Sequence, residues 1–263
     1  MKQRTITAVV AALIFLPIVI LGGLPFLLFV YLIATIGIYE LMRMKKIAKY
    51  SVSAIITFLF MWSLMYKGEM FGQFELPITK AEITLLAVLL LLSYTVLVKN
   101  RFTFDDAGFL LISAVYIGMG FYYLMETRQN GLEYIFYALF VVWATDTGAY
   151  LFGRAFGKRK LWPQISPKKT IEGSVGGILL ACVVAFIFQI IYPIHSSMTI
   201  VLLVTIIISM AGQVGDLVES AFKRHYAVKD SGKILPGHGG VLDRFDSLIF
   251  MLPILHLIGF IQV

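Results

Sequence analysis

Cysteine is almost absent from this chain, and charge is scarce. Among 263 residues the only cysteine is Cys182, inside an apolar run, which excludes an intrachain disulfide and a cysteine-rich zinc site. Charged residues make up 14% of the chain against 59% hydrophobic, and the mean hydropathy is +0.88. Such a composition lies outside the range of soluble globular domains and points to an integral membrane protein. No internal repeat or low-complexity segment is evident, and no loop is long enough to hold a second soluble domain. The start, Met1-Lys2-Gln3-Arg4 followed by an apolar run to Ile20, has the outline of a signal peptide. A small-residue cleavage site of the Ala-x-Ala kind is missing and a second apolar run follows at once, so an uncleaved first helix is expected.

What the chain does have is a succession of apolar runs. A membrane-crossing helix needs roughly 20 mostly apolar residues. The runs predict an all-α polytopic helical bundle of about nine transmembrane helices in a single membrane domain covering residues 1–263. The expected spans are Thr5–Leu21, Pro25–Met42, Ser51–Met65, Ile83–Val98, Ala107–Met125, Leu132–Phe152, Gly173–Tyr192, Met198–Val218 and Ser247–Ile261. Residues 1–130 read mainly as scaffold helices. Residues 131–263 read as the catalytic half, with cytoplasmic loops at 153–173 and 219–247.

The cations set the expected orientation. With the N-terminus in the cytoplasm and alternating sides, 19 of the 22 Lys and Arg residues fall on cytoplasmic segments. Only Lys67, Lys80 and Arg128 are left outside, which predicts an N-in, C-out arrangement. The same distribution accounts for the net charge of +7 without nucleic acid, because a basic face meets anionic lipid head groups.

In the early helices the aromatics and methionines read as packing or lipid-facing groups, and Glu40 reads as a carboxylate snorkelling toward the interface. The second half differs. Asp146 lies at the cytoplasmic end of the sixth span, where an ionisable group is costly and is a candidate site residue. Asp216, Glu219 and Lys223 stand at i, i+3 and i+7, sharing one helix face. Asp243, Asp246 and Ser247 fall on one face if the ninth helix begins early. Carboxylates gathered at one depth repel unless a metal sits among them. Thr170 is the expected N-cap of the seventh helix, with Glu172 in its first turn and Lys168 and Lys169 just before it, a ready site for an anion. Gly173 and Gly177 permit close helix approach, a packing role. Gly153 to Arg159 shares only glycines and a lysine with a P-loop, at the wrong spacing and with no following Ser or Thr, and is rejected as one.

The densest polar segment is Ser220–Ser247, which sets Lys223, Arg224, Lys229, Lys233 and Arg244 beside Asp230, Asp243 and Asp246. Cations bind phosphate oxygens and carboxylates hold the divalent metal that a polyphosphate brings, the combination used in phosphoryl and nucleotidyl transfer. A solvated basic loop would not require Pro236-Gly237-His238-Gly239-Gly240 running into Asp243-Arg244-x-Asp246.

This segment closely resembles the signature of the phosphatidate cytidylyltransferase (CDP-diacylglycerol synthase) family: Ser220-x-x-Lys223-Arg224-x4-Lys229-Asp230-x-Gly232-x3-Pro236-Gly237-His238-Gly239-Gly240-x-x-Asp243-Arg244-x-Asp246-Ser247. Two further blocks look like family blocks in the right order: Asp146-Thr147-Gly148-Ala149-Tyr150 with Gly153, and Ser166-Pro167-Lys168-Lys169-Thr170 with Glu172-Gly173. The resemblance is dense from Val142 to Ser247, and Ile171 stands where members often carry an aromatic. It implies magnesium-dependent transfer of CMP from CTP to phosphatidic acid, giving CDP-diacylglycerol and pyrophosphate, with room for a second cation. On that reading Asp216, Asp243 and Asp246 are metal ligands supported by Asp146, and together with Lys223 they form the catalytic set. Ser166, Lys168, Lys169, Thr170, Arg224, Lys229, Asp230, His238, Gly239 and Arg244 bind the substrate phosphates, His238 as a hydrogen-bond donor. The expected setting is a bacterial plasma (inner) membrane, the site opening to cytosolic CTP and sideways to the inner leaflet. A homodimer is compatible with it and no nucleic-acid partner is implied. Two rivals are a CTP-dependent lipid kinase or other CDP-lipid synthase, and an anion transporter. The second is disfavoured by the absence of mid-membrane charges and of a repeat.

Overall fold

A computed structural model describes residues 2–47, 51–68 and 77–261, and within these not the side chains of residues 2–5 and 8. Lys49, one of the cytoplasmic cations of the charge argument, lies outside the described residues. Nine helices are formed among the described residues: α1 (Lys2–Leu21), α2 (Gly23–Met44), α3 (Ser51–Met65), α4 (Lys80–Leu97), α5 (Phe104–Asn130), α6 (Leu132–Phe156), α7 (Ile171–Ile191), α8 (Met198–His225) and α9 (Leu242–Leu257). Of these α2, α4, α5, α6, α7 and α8 are long and apolar enough to cross a membrane. This is a helical integral membrane protein.

The helices follow the apolar runs, with shifts at polar ends. The largest are at α8 and α9. α8 runs on through Lys223 and Arg224 instead of stopping near Val218, because its polar continuation still has packing partners. α9 begins five residues before the expected Ser247 and ends at Leu257. The expectation of an all-α fold needs one addition, a small antiparallel hairpin of β1 (Lys160–Trp162) and β2 (Ser166–Thr170), with Lys160 opposite Thr170 and Trp162 opposite Ser166. Its strands are short and charged, with Pro163 just after β1 and Pro167 inside β2, so they carry no alternating hydrophobic pattern to announce them.

The chain folds as two compact units, one of Met1–Met125 with Asp230–Leu242 and one of Glu126–Lys229 with Asp243–Val263. The first has a core of Met42, Ile47, Leu91, Phe102, Ala107 and Leu110. Lys45 pairs with Asp106 at 2.9 Å beside it. The Asp230–Leu242 loop is tied into this unit by Glu40. The sequence suggested that Glu40 snorkels. It is instead 4% exposed, accepting hydrogen bonds from Ser231 Oγ at 2.9 Å and from the backbone N–H groups of Val241 and Leu242 at 2.9 and 3.0 Å. A buried carboxylate with three donors is satisfied where it stands and has no reason to reach for water.

In the second unit α6 and α7 are held backbone to backbone by glycines. A Cβ at Gly148 would come 2.7 Å from the Gly176 carbonyl oxygen, and one at Gly177 would come 2.7 Å from that of Thr145. Gly173 likewise abuts Ala149 and Gly153. The α6–α8 contact is fastened by buried hydroxyls: Thr145 with Ser209 at 2.8 Å, and Tyr137 with Thr205 at 2.8 Å. Since carbonyls cannot yield as side chains do, Gly177→Ala should force α6 and α7 apart. The expected cost is about 1–3 kcal/mol, read as a lower unfolding midpoint of the detergent-solubilised chain. An unchanged midpoint would show the helices to be less tightly keyed than these distances indicate.

Candidate active site

Four pieces of the second unit carry the polar groups. Asp146 sits on α6, one residue after the Thr145 that hydrogen-bonds α8. Lys168 and Lys169 stand on β2, whose last residue, Thr170, caps α7 by accepting the Gly173 N–H at 3.1 Å. Glu172, in the first turn of α7, accepts the backbone N–H groups of Lys158 and Arg159 at 3.1 and 3.2 Å and so fixes the hairpin to the helix. Asp216, Glu219 and Lys223 line one face of α8, as their spacing predicts. Asp243 and Asp246 lie in the first turns of α9. A Cβ at Gly215 would strike the Asp246 carbonyl at 2.6 Å, and one at Gly212 would already touch Ser247. Glycine at 215 is what lets these two helices meet closely enough to share side chains.

Lys223 is the hub. Its Nζ is 2.6 Å from Glu219 Oε2 and 2.6 Å from Asp243 Oδ1, and the three side chains are 13%, 2% and 6% exposed. The other oxygen of Glu219, Oε1, is buried and receives no hydrogen bond among the described residues. Asp246 and Asp243 are the acidic neighbours of Glu219. A second pair is more open: Lys169 Nζ stands 2.6 Å from Asp216 Oδ2, with 27% and 31% exposure, and Ser220 Oγ donates to Asp216 Oδ1 at 3.3 Å. Asp146 makes no hydrogen bond or ion pair among the described residues, although Asp216, Lys169 and Arg244 are its charged neighbours. It lines a cavity of about 300 Å³ together with Lys168, Lys169, Thr170, Gln213 and Asp216.

The balance of acidic and basic groups bears on what this interior could accept. Asp146, Asp216, Glu219, Asp243 and Asp246 bring five acidic groups against the ammonium groups of Lys169 and Lys223, with Lys168 and Arg244 exposed. Acidic groups in excess of cations, where ionised, repel a bare triphosphate and attract a divalent cation. Among the described residues no three His, Cys, Asp or Glu side chains converge on a point where they alone would hold a metal. An incomplete all-oxygen set of this kind fits magnesium, which takes one or two carboxylates and completes its shell with substrate phosphate and water.

The other expected site residues are placed as follows. Ser166 opens β2. Arg224 is exposed at the end of α8 and gives its Nε–H to the Ile165 carbonyl at 3.2 Å, so the helix end and the hairpin are joined. Lys229 is exposed beyond that helix. Asp230, His238 and Gly239 belong to the other unit, in the loop held by Glu40. There Gly237 and Gly239 have φ of +78° and +86°, and Leu235 donates its N–H to the Gly239 carbonyl at 3.0 Å. His238 Nδ1 is buried with no partner among the described residues. Sequence reasoning placed Glu219 on the right face but left it out of the site. Its 1% exposure beside Lys223 makes it the most deeply set of the acidic groups, and the i, i+3, i+7 spacing was the signal.

Comparison with known proteins agrees over nearly the whole length. Residues 2–262 match the model of the cytidylyltransferase family. A protein of Bacillus subtilis (strain 168) named phosphatidate cytidylyltransferase is 54% identical over 260 residues, covering 97% of this chain and 96% of that protein. Proteins of the same name from Staphylococcus epidermidis (strain ATCC 12228 / FDA PCI 1200) and Staphylococcus aureus (strain COL) are 52% and 48% identical, each over 258 residues, with 98% of both chains covered.

Proposed function

The chain belongs to the cytidylyltransferase family, and on that premise we propose that it transfers CMP from CTP to phosphatidic acid, forming CDP-diacylglycerol and pyrophosphate. The observation that carries the reading is the acidic interior gathered around Lys223 and bordered by Lys168, Lys169 and Arg244. In the reaction a phosphate oxygen of phosphatidic acid forms a bond to the α-phosphorus of CTP, and the bond from that phosphorus to the bridging oxygen breaks, releasing pyrophosphate. The nucleophile is already an anion at neutral pH, so no strong base is needed to generate it. What the protein must do is bring one anion against another.

Magnesium, if bound with the triphosphate, would neutralise charge on its oxygens and on the leaving pyrophosphate. Asp216 and Asp246, with Asp146 and Asp243, are the groups that would hold it. Glu219 and Asp243 keep Lys223 fixed and charged, so that it meets the phosphates in one position and not as a mobile surface cation. Lys168 and Lys169 line the cavity wall, where they receive phosphate oxygens as point charges. Ser166 and Thr170 set the strand carrying these lysines, Thr170 through the α7 cap. Arg224, Lys229, Asp230, His238, Gly239 and Arg244 complete the substrate contacts in this proposal.

The reading extends to nine membrane crossings with the N-terminus inside and the C-terminus outside, supported by the concentration of Lys and Arg on alternate loops. It places the chain in a bacterial inner membrane with its site toward the cytoplasm, where CTP is made. The test uses membranes, phosphatidic acid, Mg²⁺ and CTP labelled on either the α- or the γ-phosphate. Label from the α position is expected in the organic phase. Label from the γ position alone would mean a lipid kinase, and label from neither would reject transfer altogether.

A further inference from the structure

One carboxylate closes the whole glycine-rich loop. Glu40, near the C-terminal end of α2, accepts from Ser231 at the start of the loop and from Val241 and Leu242 at its end. The residues it joins are 191 to 202 positions away in sequence. Two glycines of the loop are explained by it: a Cβ at Gly232 or at Gly240 would run into the Glu40 carboxylate, and at Gly240 also into Ser231 Oγ. The loop is therefore built around this side chain, with glycine where the carboxylate takes the space. Leu242 is also the first residue of α9, so the anion rests on unpaired N–H groups at a helix start, where it is favoured.

The tip is held separately, by Thr7 Oγ donating to the Pro236 carbonyl at 3.0 Å and by the Leu235–Gly239 bridge. Between these fixings lies His238, whose Nδ1 is buried and has no hydrogen-bond partner among the described residues. A loop secured at base and tip loses little conformational entropy when it binds an anion.

We propose that Glu40 is a positioning residue for phosphate binding: by holding Ser231 to Val241 and Leu242 it keeps His238 and Gly239 in the conformation that receives a substrate phosphate. Glu40 touches no substrate itself. The inference rests on the function given above. The phosphate could be that of CTP or that of the lipid, and separate titrations of the two substrates distinguish them.

The test takes the full chain in phosphatidic acid mixed micelles. Glu40→Gln keeps the volume but turns an amide N–H₂ toward backbone donors. The apparent KM for one of the two substrates should rise by about tenfold or more, the effect of losing a hydrogen bond to a charged group, with kcat changed by less than about threefold. The exposed Lys233, inside the loop, should become open to trypsin at a matching rate. His238→Ala should raise the same KM, and adding it to Glu40→Gln should raise it little further, because both act through one loop. Wild-type KM values in Glu40→Gln would overturn the proposal, even with the loop opened to trypsin. A fall in kcat and thermal midpoint with both KM values unchanged would reduce Glu40 to a stabilising group and overturn it too. If Glu40→Gln fails to accumulate, Glu40→Asp, one methylene shorter, carries the same readouts. Trypsin judges the clamp without turnover: if Glu40→Gln exposed Lys233 while the wild-type chain moved no α-label, the clamp would stand and the proposed function would fall.

Discussion

Lys223→Met should abolish transfer and lower stability by about 3–5 kcal/mol, the loss typical when one partner is removed from a buried ion cluster. The side chain pairs with Glu219 and Asp243 at once, and both carboxylates are nearly sealed from water. Without it, three acidic groups including Asp246 would be left together in the interior. Each would retain its desolvation penalty without the attraction that Lys223 supplies. Stability and activity can then be separated. Lys223→Met combined with Glu219→Gln and Asp243→Asn removes the uncompensated charge along with the cation, so the unfolding midpoint should largely recover. Activity should not, because the Lys223 ammonium group is no longer there to meet the phosphates beside Lys168 and Lys169. Transfer of α-label from CTP, measured beside thermal unfolding in detergent, gives both quantities on one preparation. A triple variant that regained turnover would show Lys223 to be structural only.

The helices were legible because each is announced by an apolar run, and ends were misjudged where polar residues continue a helix. α8 was expected to stop at Val218, yet it carries Glu219, Lys223 and Arg224 through two more turns. The charged face that continues it is stabilised by α9 and by the β hairpin, and neither contact is written in local pattern. Thr170 as a cap and Gly177 as a close-packing position were readable because their reasons are local. Glu40 was misread for the opposite reason. A single acid near a helix end looks the same in sequence whether it faces water or three donors 191 to 202 residues away. Gly232 and Gly240 belong to the same difficulty: their cause is a side chain in another part of the chain. The resemblance in Ser220–Ser247 pointed to the chemistry, but it could not say that the segment divides between the two units.

Asp216→Asn should cost activity heavily and stability hardly at all. Its ion pair with Lys169 is about one-third exposed on each side, and pairs so well solvated contribute roughly 0–1 kcal/mol. The contrast with Lys223 follows from exposure alone, since the N–O distances are the same 2.6 Å. Turnover is another matter. Asp216 lines the cavity with Asp146, Lys168 and Lys169, and a carboxylate that helps hold magnesium there is expected to be worth about 10²–10³-fold in rate. Two routes could produce that loss, and they leave different traces. If Asp216 holds the metal, Asp216→Asn should also shift half-maximal activation to higher Mg²⁺, while Lys169→Met should not. If Asp216 acts only by aiming Lys169, then Lys169→Met should reproduce the whole loss with the Mg²⁺ dependence unchanged in both variants. Asp216→Asn retaining full turnover at low Mg²⁺ would remove this residue from the metal set and leave Asp246, Asp243 and Asp146 as its remaining members.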